Sequence, residues 1–592
     1  MAVWVLCLAS GVYVSRFVTR GWIPHDEGTI AQSADRVLAG ELPHRDFDEV
    51  YTGGLTYLHA AAMRVIGTNL RAPRMLLFAG FLAFLAAVVA MAWQVSETGA
   101  ALAAIALVVV WSVPNYFASL PSWYVLFCAT FGCLALFRFL AGGSRIWLVV
   151  AGVCGGVAVL MKIAGVFYLA AALLLFIYVE QTSAVAASGH NPRRSWWWAV
   201  AALPLAACTG LVLYLAAARA TARPLLQLFL PLLVVSGFLV WHERRAARAP
   251  ATQRAAALWA MVAPFAAGAL LPIVAFAAFY WWQDGLGALV QGVFVLPQRR
   301  LTEATLGPPP LVTVGLAVPY AALFFLGGRG QIARGWVAVL LSAFLALIML
   351  LVPNPPIYRG VLTVARWMPL VAAVAAVPLL RSRNDPRIFL LVAMSAALAL
   401  IQVPYATPIY FCYAAPMTVL ALSAIVSAPP RAGIRLHTCV AVFFLLFAVL
   451  FLNRSYGWNL GVQFIRYDPA SRLDLPRAGL FVPDDDRATY DALVRRVQER
   501  AAGGTIYAGP DCPEVYFLSG FRNPTRALFE FLGPDRIDRA AMAHLLAAQP
   551  IRAAVINTAP LFSPPIDPGA MAELERRFPA AERIGRFIVR FD

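Results

Sequence analysis

The sequence predicts an α-helical polytopic membrane protein that carries a small α/β domain at its C-terminal end, and three observations predict it. Of 592 residues, 61% are hydrophobic and 13% charged, and the mean hydropathy is +0.73, far from the composition of soluble globular domains. Apolar runs recur at the roughly 20 residues a helix needs to cross a hydrocarbon core, with no alternating barrel pattern. After Leu452 the composition turns polar and short helical and strand patterns alternate.

Taken in order, the apolar runs fall at 1–19, 72–93, 99–116, 121–140, 146–162, 164–180, 196–218, 224–241, 255–281, 311–326, 336–352, 361–380, 387–403, 409–427 and 436–452. That makes about 13–15 transmembrane helices. No basic stretch precedes the first run and no small-residue cleavage site follows it, so it is expected to be an uncleaved span rather than a signal peptide. Arginines in short loops (Arg138 and Arg145, Arg193 and Arg194, Arg244 to Arg254, Arg329 and Arg334, Arg381 to Arg387, Arg431 and Arg435) fall on alternate loops and mark the cytoplasmic side. The loops 20–71, 283–310 and 353–360 and everything after 453 then lie outside. The organisation expected is a transmembrane domain 1–452 with an exterior cap 20–71, and an exterior α/β domain 453–592.

The cap holds two helical patterns, 26–38 ending at Gly40 and 55–66 ending at Gly67, the second apolar enough to lie along the membrane interface. In the last hundred residues the patterns give helices at 487–502, 514–519, 537–548 and 569–578 and strands at 505–508, 553–557 and 584–591.

Composition also excludes. The formal charge of +17 and pI near 9.9 come from arginines dispersed at span ends, without a basic arm, so no nucleic-acid partner is expected. The chain has one lysine, Lys162, followed by Ile163, so no Gly-x-x-x-x-Gly-Lys-Ser/Thr phosphate loop exists and ATP cannot drive it through one. Of eight cysteines only Cys512 lies outside a span or its edge, which gives neither a disulfide framework nor metal-type spacing.

What remains for chemistry is the exterior face. The cap gathers His25, Asp26, Glu27, Asp35, Glu41, His44, Asp46, Asp48 and Glu49 directly after the first span. Asp26 and Glu27 are the carboxylates of a possible general-base site. His25 and His44 among acids invite a metal, but their spacing matches no ligand motif, and neither metal nor cofactor is expected. Arg36, Arg45, Arg64, Arg71 and Arg74 break the positive-inside rule, either by pairing with the cap's own acids or by facing a phosphate. Lys162 lies between two spans, where it either snorkels or meets a lipid phosphate. Gln298-Arg299-Arg300 and Tyr358-Arg359 could clamp a departing phosphate. Tyr405 and Tyr410, beside Pro404 and Pro408, could stack on a sugar ring.

The order Trp22-Ile-Pro-His-Asp-Glu-Gly28, Leu38-Ala-Gly-Glu-Leu-Pro-His-Arg-Asp-Phe47, Tyr51-Thr-Gly-Gly54, a helix ending in Gly67 and Arg74 entering the next span resembles the GT-C superfamily of membrane glycosyltransferases. The likeness is to the bacterial branch related to protein O-mannosyltransferases, lipid A aminoarabinose transferases and RgtA/B/C/D-like sugar transferases. The segment from Thr505 to Thr525 also resembles the C-terminal soluble part of bacterial members. The chain departs in Gly53, where relatives usually carry Pro, and in the second exterior loop, Pro114-Asn-Tyr-Phe-Ala-Ser-Leu-Pro121, which lacks the carboxylate of some relatives.

The resemblance implies a multi-pass enzyme of the bacterial inner membrane. It would move a sugar from a polyprenyl-phosphate donor to the hydroxyl of a lipid, polysaccharide or protein at the exterior face, with inversion. Asp26 matches the family's first-loop catalytic aspartate, with Glu27 orienting the acceptor or substituting. Lys162, Arg300 and Arg359 would hold the donor phosphate, and His25, Tyr51 and Tyr405 the substrate. The rival class is a lipid-linked sugar transporter or a non-catalytic scaffold, disfavoured by the absence of a visible repeat or of mid-span charges.

Overall fold

The computed structural model describes residues 2–187, 198–217, 222–246, 250–297, 365–403, 408–428, 471–502, 504–530 and 537–592. The first helices are α1 (Ala2–Ser15), α2 (Pro24–Leu38), α3 (Gly54–Ile66), α4 (Arg71–Val95), α5 (Thr98–Val110), α6 (Pro121–Leu140), α7 (Ile146–Met161), α8 (Val166–Ala187), α9 (Trp198–Ala217), α10 (Ala222–Ala246) and α11 (Ala251–Trp282). Helices Met368–Arg383, Pro386–Leu398, Pro408–Cys412 and Ala415–Ser427 follow. Among the described residues, five stretches are long and apolar enough to cross a membrane: Arg71–Val95, Thr98–Asn115, Pro121–Leu140, Ile163–Ser183 and Ala251–Trp282. Shorter apolar helices accompany them, and the chain is a multi-pass helical membrane protein. The expected spans at 311–326, 336–352 and 436–452 lie outside the described residues.

One expected span is not continuous. The run 409–427 forms two helices that break at Tyr413–Ala414. Pro416 explains the break: it has no N–H to offer the carbonyl of Cys412, and its ring would strike that carbonyl in an unbroken helix.

At the far end of α8 and α10, Arg254 is a buried residue rather than a surface topology signal. Its Nε is 2.5 Å from Glu180 Oε1 and its Nη1 2.6 Å from Glu243 Oε1, all three side chains at most 3% exposed. Three helices are thereby tied at one point.

At the opposite end the cap forms as its sequence dictates. Pro24 opens α2 at a position where its missing N–H is not needed, and Asp26 and Glu27 in the first turn oppose the helix dipole favourably. Glu27 then turns inward. Its carboxylate lies 2.5 Å and 2.7 Å from Arg74 Nε and Nη2 and accepts the N–H of Ile23 at 2.8 Å. Arg74 also donates to the carbonyls of Phe17 (3.0 Å), Arg20 (3.2 Å) and Gly21 (2.6 Å). Both side chains are 2% exposed, so α1's end, α2 and α4 converge on one satisfied ion pair.

The C-terminal domain carries a four-stranded sheet in the order β3 (Thr505–Gly509), β4 (Ile551–Asn557), β6 (Phe587–Phe591), β5 (Ala580–Ile584), after a short pair β1 (Ser471–Arg472) and β2 (Phe481–Val482). β3 and β4 are parallel and the others antiparallel. The single strand expected at 584–591 is the second arm of a hairpin, because Gly585 takes φ 57° and reverses the chain.

This domain docks on the cap. The Phe481 N–H donates to Thr19 O at 2.7 Å and Gly21 N–H to Phe481 O at 2.8 Å, extending the sheet edge into the loop after α1. Trp22 packs edge-on against Tyr490 and its Nε1 donates to Asp486 at 3.1 Å. Helix Pro513–Ser519 lies so close on α2 that a methyl group on Gly28 would overlap the Glu514 backbone nitrogen.

Two outcomes follow from this packing. Removing either partner of the buried Glu27–Arg74 pair is expected to cost about 3–5 kcal/mol, while Glu27→Leu with Arg74→Met recovers part of the loss. A double-mutant cycle on thermal unfolding in detergent reads this. Separately, burial and the neighbouring Asp511 and Glu514 carboxylates hold Glu530 up to about 7, against 4.5 for an ordinary glutamate. The folded domain therefore keeps a proton that the unfolded chain releases, and the stability so gained is lost as pH rises through about 7. Limited proteolysis of the C-terminal domain should quicken between pH 5 and 8 (about the span of that titration) and lose that dependence in Glu530→Gln.

Candidate functional site

His25, Asp26 and Glu27 follow one another in a helix, where successive side chains diverge by about 100°. The three therefore point to different places. Glu27 faces the core and Arg74. His25 faces the C-terminal domain, its ring 5.0 Å from Phe562 in an edge-to-face contact. Asp26 faces the loop between α5 and α6, where it accepts the phenolic O–H of Tyr116, with His25 Nε2 at 3.9 Å from Oδ2. Its side chain is 23% exposed.

The other carboxylates of the cap are matched. Glu41 pairs with Arg36 at 2.6 Å and with Arg522 at 3.2 Å, Asp46 with Arg45 at 2.8 Å, Asp35 with Arg477 at 2.8 Å and Asp48 with Arg526 at 3.0 Å. Glu49 accepts from Val50 N–H and the Thr56 hydroxyl, each at 2.8 Å. Three of these arginines, Arg477, Arg522 and Arg526, come from the C-terminal domain, so much of the acidic cluster is a docking surface. Arg36, Arg45 and Arg74 pair with acids of the cap itself. Among the described residues, Asp26 is the cap carboxylate with neither an arginine partner nor a backbone N–H in hand.

The loop that receives Asp26 is buried, although a connection between spans would ordinarily be exposed. Asn115, 1% exposed, donates to the carbonyl of Val110 and so satisfies the end of α5. Trp123 Nε1 donates to Tyr116 O at 3.0 Å, fixing the backbone that carries the phenol. Ser119 bridges His59 Nε2 (2.9 Å) and the Tyr124 hydroxyl (2.8 Å). Burial pushes His59 down to about 3, which leaves it a neutral hydrogen-bonding ring.

Lys162 is tied to the first turn of α6, directly after that loop. It follows the last residue of α7, its Nζ donates to Ser122 Oγ at 3.0 Å, and it lies 5.8 Å and 5.4 Å from the ring centres of Tyr51 and Tyr410. Such cation–π contacts are worth about 0.5–2 kcal/mol each. The aromatic chain continues from Tyr410 to Tyr413 (5.6 Å) and from Tyr413 to Trp123 (4.4 Å), back to the Tyr116 backbone. Asp26 and Lys162 are thus carried by one buried scaffold.

Tyr51 reaches Lys162 because α3 begins against the end of α7. Gly53 has φ 102°, which a proline cannot adopt, and a methyl on Gly54 would stand 2.6 Å from Leu160 O. His44 turns its Nε2 to Thr52 O at 3.2 Å. Its burial lowers its pKa below the usual histidine range, and no group of three metal-ligating side chains occurs among the described residues. Arg300, Arg359 and Tyr405 lie outside the described residues.

Sequence reasoning missed Tyr116, Ser122 and Trp123. The only signal was a run of polar side chains, Ser112, Asn115, Tyr116, Ser119 and Ser122, between two apolar spans without a charge.

No family model matches the sequence, and no curated relative does. Among solved structures, the chain is similar to the apo oligosaccharyltransferase of Archaeoglobus fulgidus, with 13% identity and a TM-score of 0.45 over 94% of this chain and 69% of that one. It is also similar to AglB of the same organism in complex with an inhibitory peptide and a dolichol-phosphate (12%, TM-score 0.43, 94% and 69%). A third is ArnT from Cupriavidus metallidurans bound to undecaprenyl phosphate (15%, TM-score 0.36, 100% and 97%). At TM-scores this low the likenesses carry no weight for the chemistry, which rests on the residues above.

Proposed function

We propose that the chain is a GT-C-type glycosyltransferase that moves a sugar from a polyprenyl-phosphate donor to an acceptor hydroxyl at the exterior face of the bacterial inner membrane. The observation that carries this reading is the state of Asp26. It is a partly exposed carboxylate left without an arginine in a cluster where its neighbours are matched, and it shares a scaffold with a fixed ammonium.

In the proposed step Asp26 takes the proton of the acceptor hydroxyl as its oxygen bonds to the anomeric carbon. The bond from that carbon to the phosphate oxygen breaks, the polyprenyl phosphate leaves with the electron pair, and the anomeric configuration inverts. Lys162 meets the charge that grows on the departing phosphate, with Arg300 and Arg359 as further donors to it. Glu27 acts at one remove: clamped to Arg74, it fixes the first turn of α2 and hence the direction of Asp26. Tyr116 orients the Asp26 carboxylate, and His25 and Tyr51 line the substrate's path.

The interrupted helix at Tyr413–Ala414 is a feature that a lipid-linked sugar transporter would share. The two readings part in one experiment, mass spectrometry of envelope glycolipids and polysaccharides from wild type, a deletion strain and the deletion complemented with variants. Asp26→Asn is expected to leave the protein in the membrane and lower transfer by about 10²–10⁴-fold, the range of a general base. Lys162→Met should lower kcat/KM for the donor by about 10–100-fold, the loss of one charged hydrogen bond. Tyr116→Phe should retain transfer at a lowered rate, since the Asp26 carboxylate loses a hydroxyl that orients it. Full restoration by Asp26→Asn would remove Asp26 from the mechanism.

A further inference from the structure

Asp284, with φ 53°, turns the chain at the end of α11, and a short apolar helical stretch, Leu286–Val295, follows. It carries no charged side chain. One side of it is held by the cap and α11: Leu289 and Val293 are buried in a cluster with Leu42 and Tyr280, against which Tyr57, Phe276 and Ile163 pack. Gly292 lies so close to His44 that a methyl group there would overlap the imidazole. The other side presents Leu286, Val290 (49% exposed) and Val295 (53% exposed).

That open side continues a surface whose solvent is already set. α11 is long and apolar enough to span, yet only 17% of its most apolar window is buried, so its flank faces lipid. The flank ends at Trp281 and Trp282, 72% and 76% exposed, the residue type that marks a bilayer–water boundary. α3 meets the same end of α11, its Tyr57 standing edge-on to Phe276 at 6.0 Å and Phe279 at 5.9 Å, and it exposes Leu58, Val65 and Ile66.

We propose that Leu286–Val295 is not an aqueous loop but lies along the membrane interface on the cap side, its open side set among lipid acyl chains. Together with α3 it forms a collar around that end of α11. At 1.5 Å per residue the stretch is about 15 Å long, half the roughly 30 Å of a hydrocarbon core, so it lies along the bilayer and does not cross it. A helix facing water on one side would carry charge there; this one offers aliphatic side chains, as interfacial helices do. The collar also fixes a depth. α3 begins at Gly54 against Leu160, and Ile163 packs in the cluster beneath Leu289, so Lys162 between them is held at headgroup level, where lipid phosphates lie. The inference concerns the membrane contact alone and stands whether or not the chain transfers a sugar.

The test is quenching of a fluorescent amino acid placed singly at Leu286, Val290 or Val295 of the full chain in lipid nanodiscs. Leu271 of α11 serves as the membrane reference and exposed Asp474 of the C-terminal domain as the water reference. These are exposed positions, and thermal unfolding verifies that each labelled protein is folded. Lipids carrying a nitroxide near the headgroup are expected to quench the probe at Val290 about threefold or more above the level at Asp474, and iodide in the water about threefold or more below it. A nitroxide at the chain end should act more strongly at Leu271 than at Val290. Iodide quenching equal to that at Asp474 would place the stretch in water. Protection from both quenchers would mean that protein covers it, and a depth equal to that of Leu271 would make it part of a span. Any of these three results would overturn the proposal.

Discussion

The buried contact between Arg74 and Glu27 is the constraint on which the cap and its junction with the first helices depend. A guanidinium 2% exposed has to be matched by charge and by acceptors, and it finds two carboxylate oxygens and three backbone carbonyls. Those five acceptors come from α2 and from the chain between α1 and α2. The contact therefore fixes where the first span hands the chain to the cap and how α2 is rotated about its axis. That rotation directs Asp26 at the α5–α6 loop and His25 at the C-terminal domain.

Once α2 is placed, the rest of the cap is arranged by charge matching across two sequence-distant pieces. Asp35, Glu41 and Asp48 each meet an arginine from the C-terminal domain, and the close approach at Gly28 leaves no room for a side chain between them. Exposed pairs of this kind contribute only about 0–1 kcal/mol each, so their value lies in register more than in strength. The apolar contact of Trp22 with Tyr490 supplies adhesion that the charges specify. The catalytic reading of Asp26 follows from this matching, since a carboxylate kept out of it is a carboxylate available for a proton.

Much of the fold was legible. Among the described residues most apolar helices followed from hydropathy, and α2, α3 and most of the C-terminal elements from periodicity and Gly punctuation. For the proposed site, the sequence singled out Asp26 and Lys162 but not the scaffold that carries them, for physical reasons. Successive side chains on a helix diverge by about 100°, so Asp26 and Glu27 separate into one partly exposed and one buried group, a distinction that depends on Arg74 arriving from 47 residues away. Tyr116 was hidden because hydrogen bonds from a buried loop leave no periodic or charge signature. The break at Tyr413–Ala414 was present in Pro416 but masked by a run apolar on both sides. The Gly585 hairpin was hidden similarly, inside a run of strand-forming residues.

The measurement that tests the central claim most directly is a carboxamide scan of the cap, in which Asp26, Glu27, Asp35, Glu41, Asp46, Asp48 and Glu49 are each replaced by their amide in purified full-length protein. Donor turnover and thermal stability are then measured on every variant. The account predicts that Asp26→Asn loses turnover with its melting temperature intact, and that in the other variants any loss of turnover tracks a loss of stability. An active Asp26→Asn, or another variant that is inactive and fully stable, would contradict it.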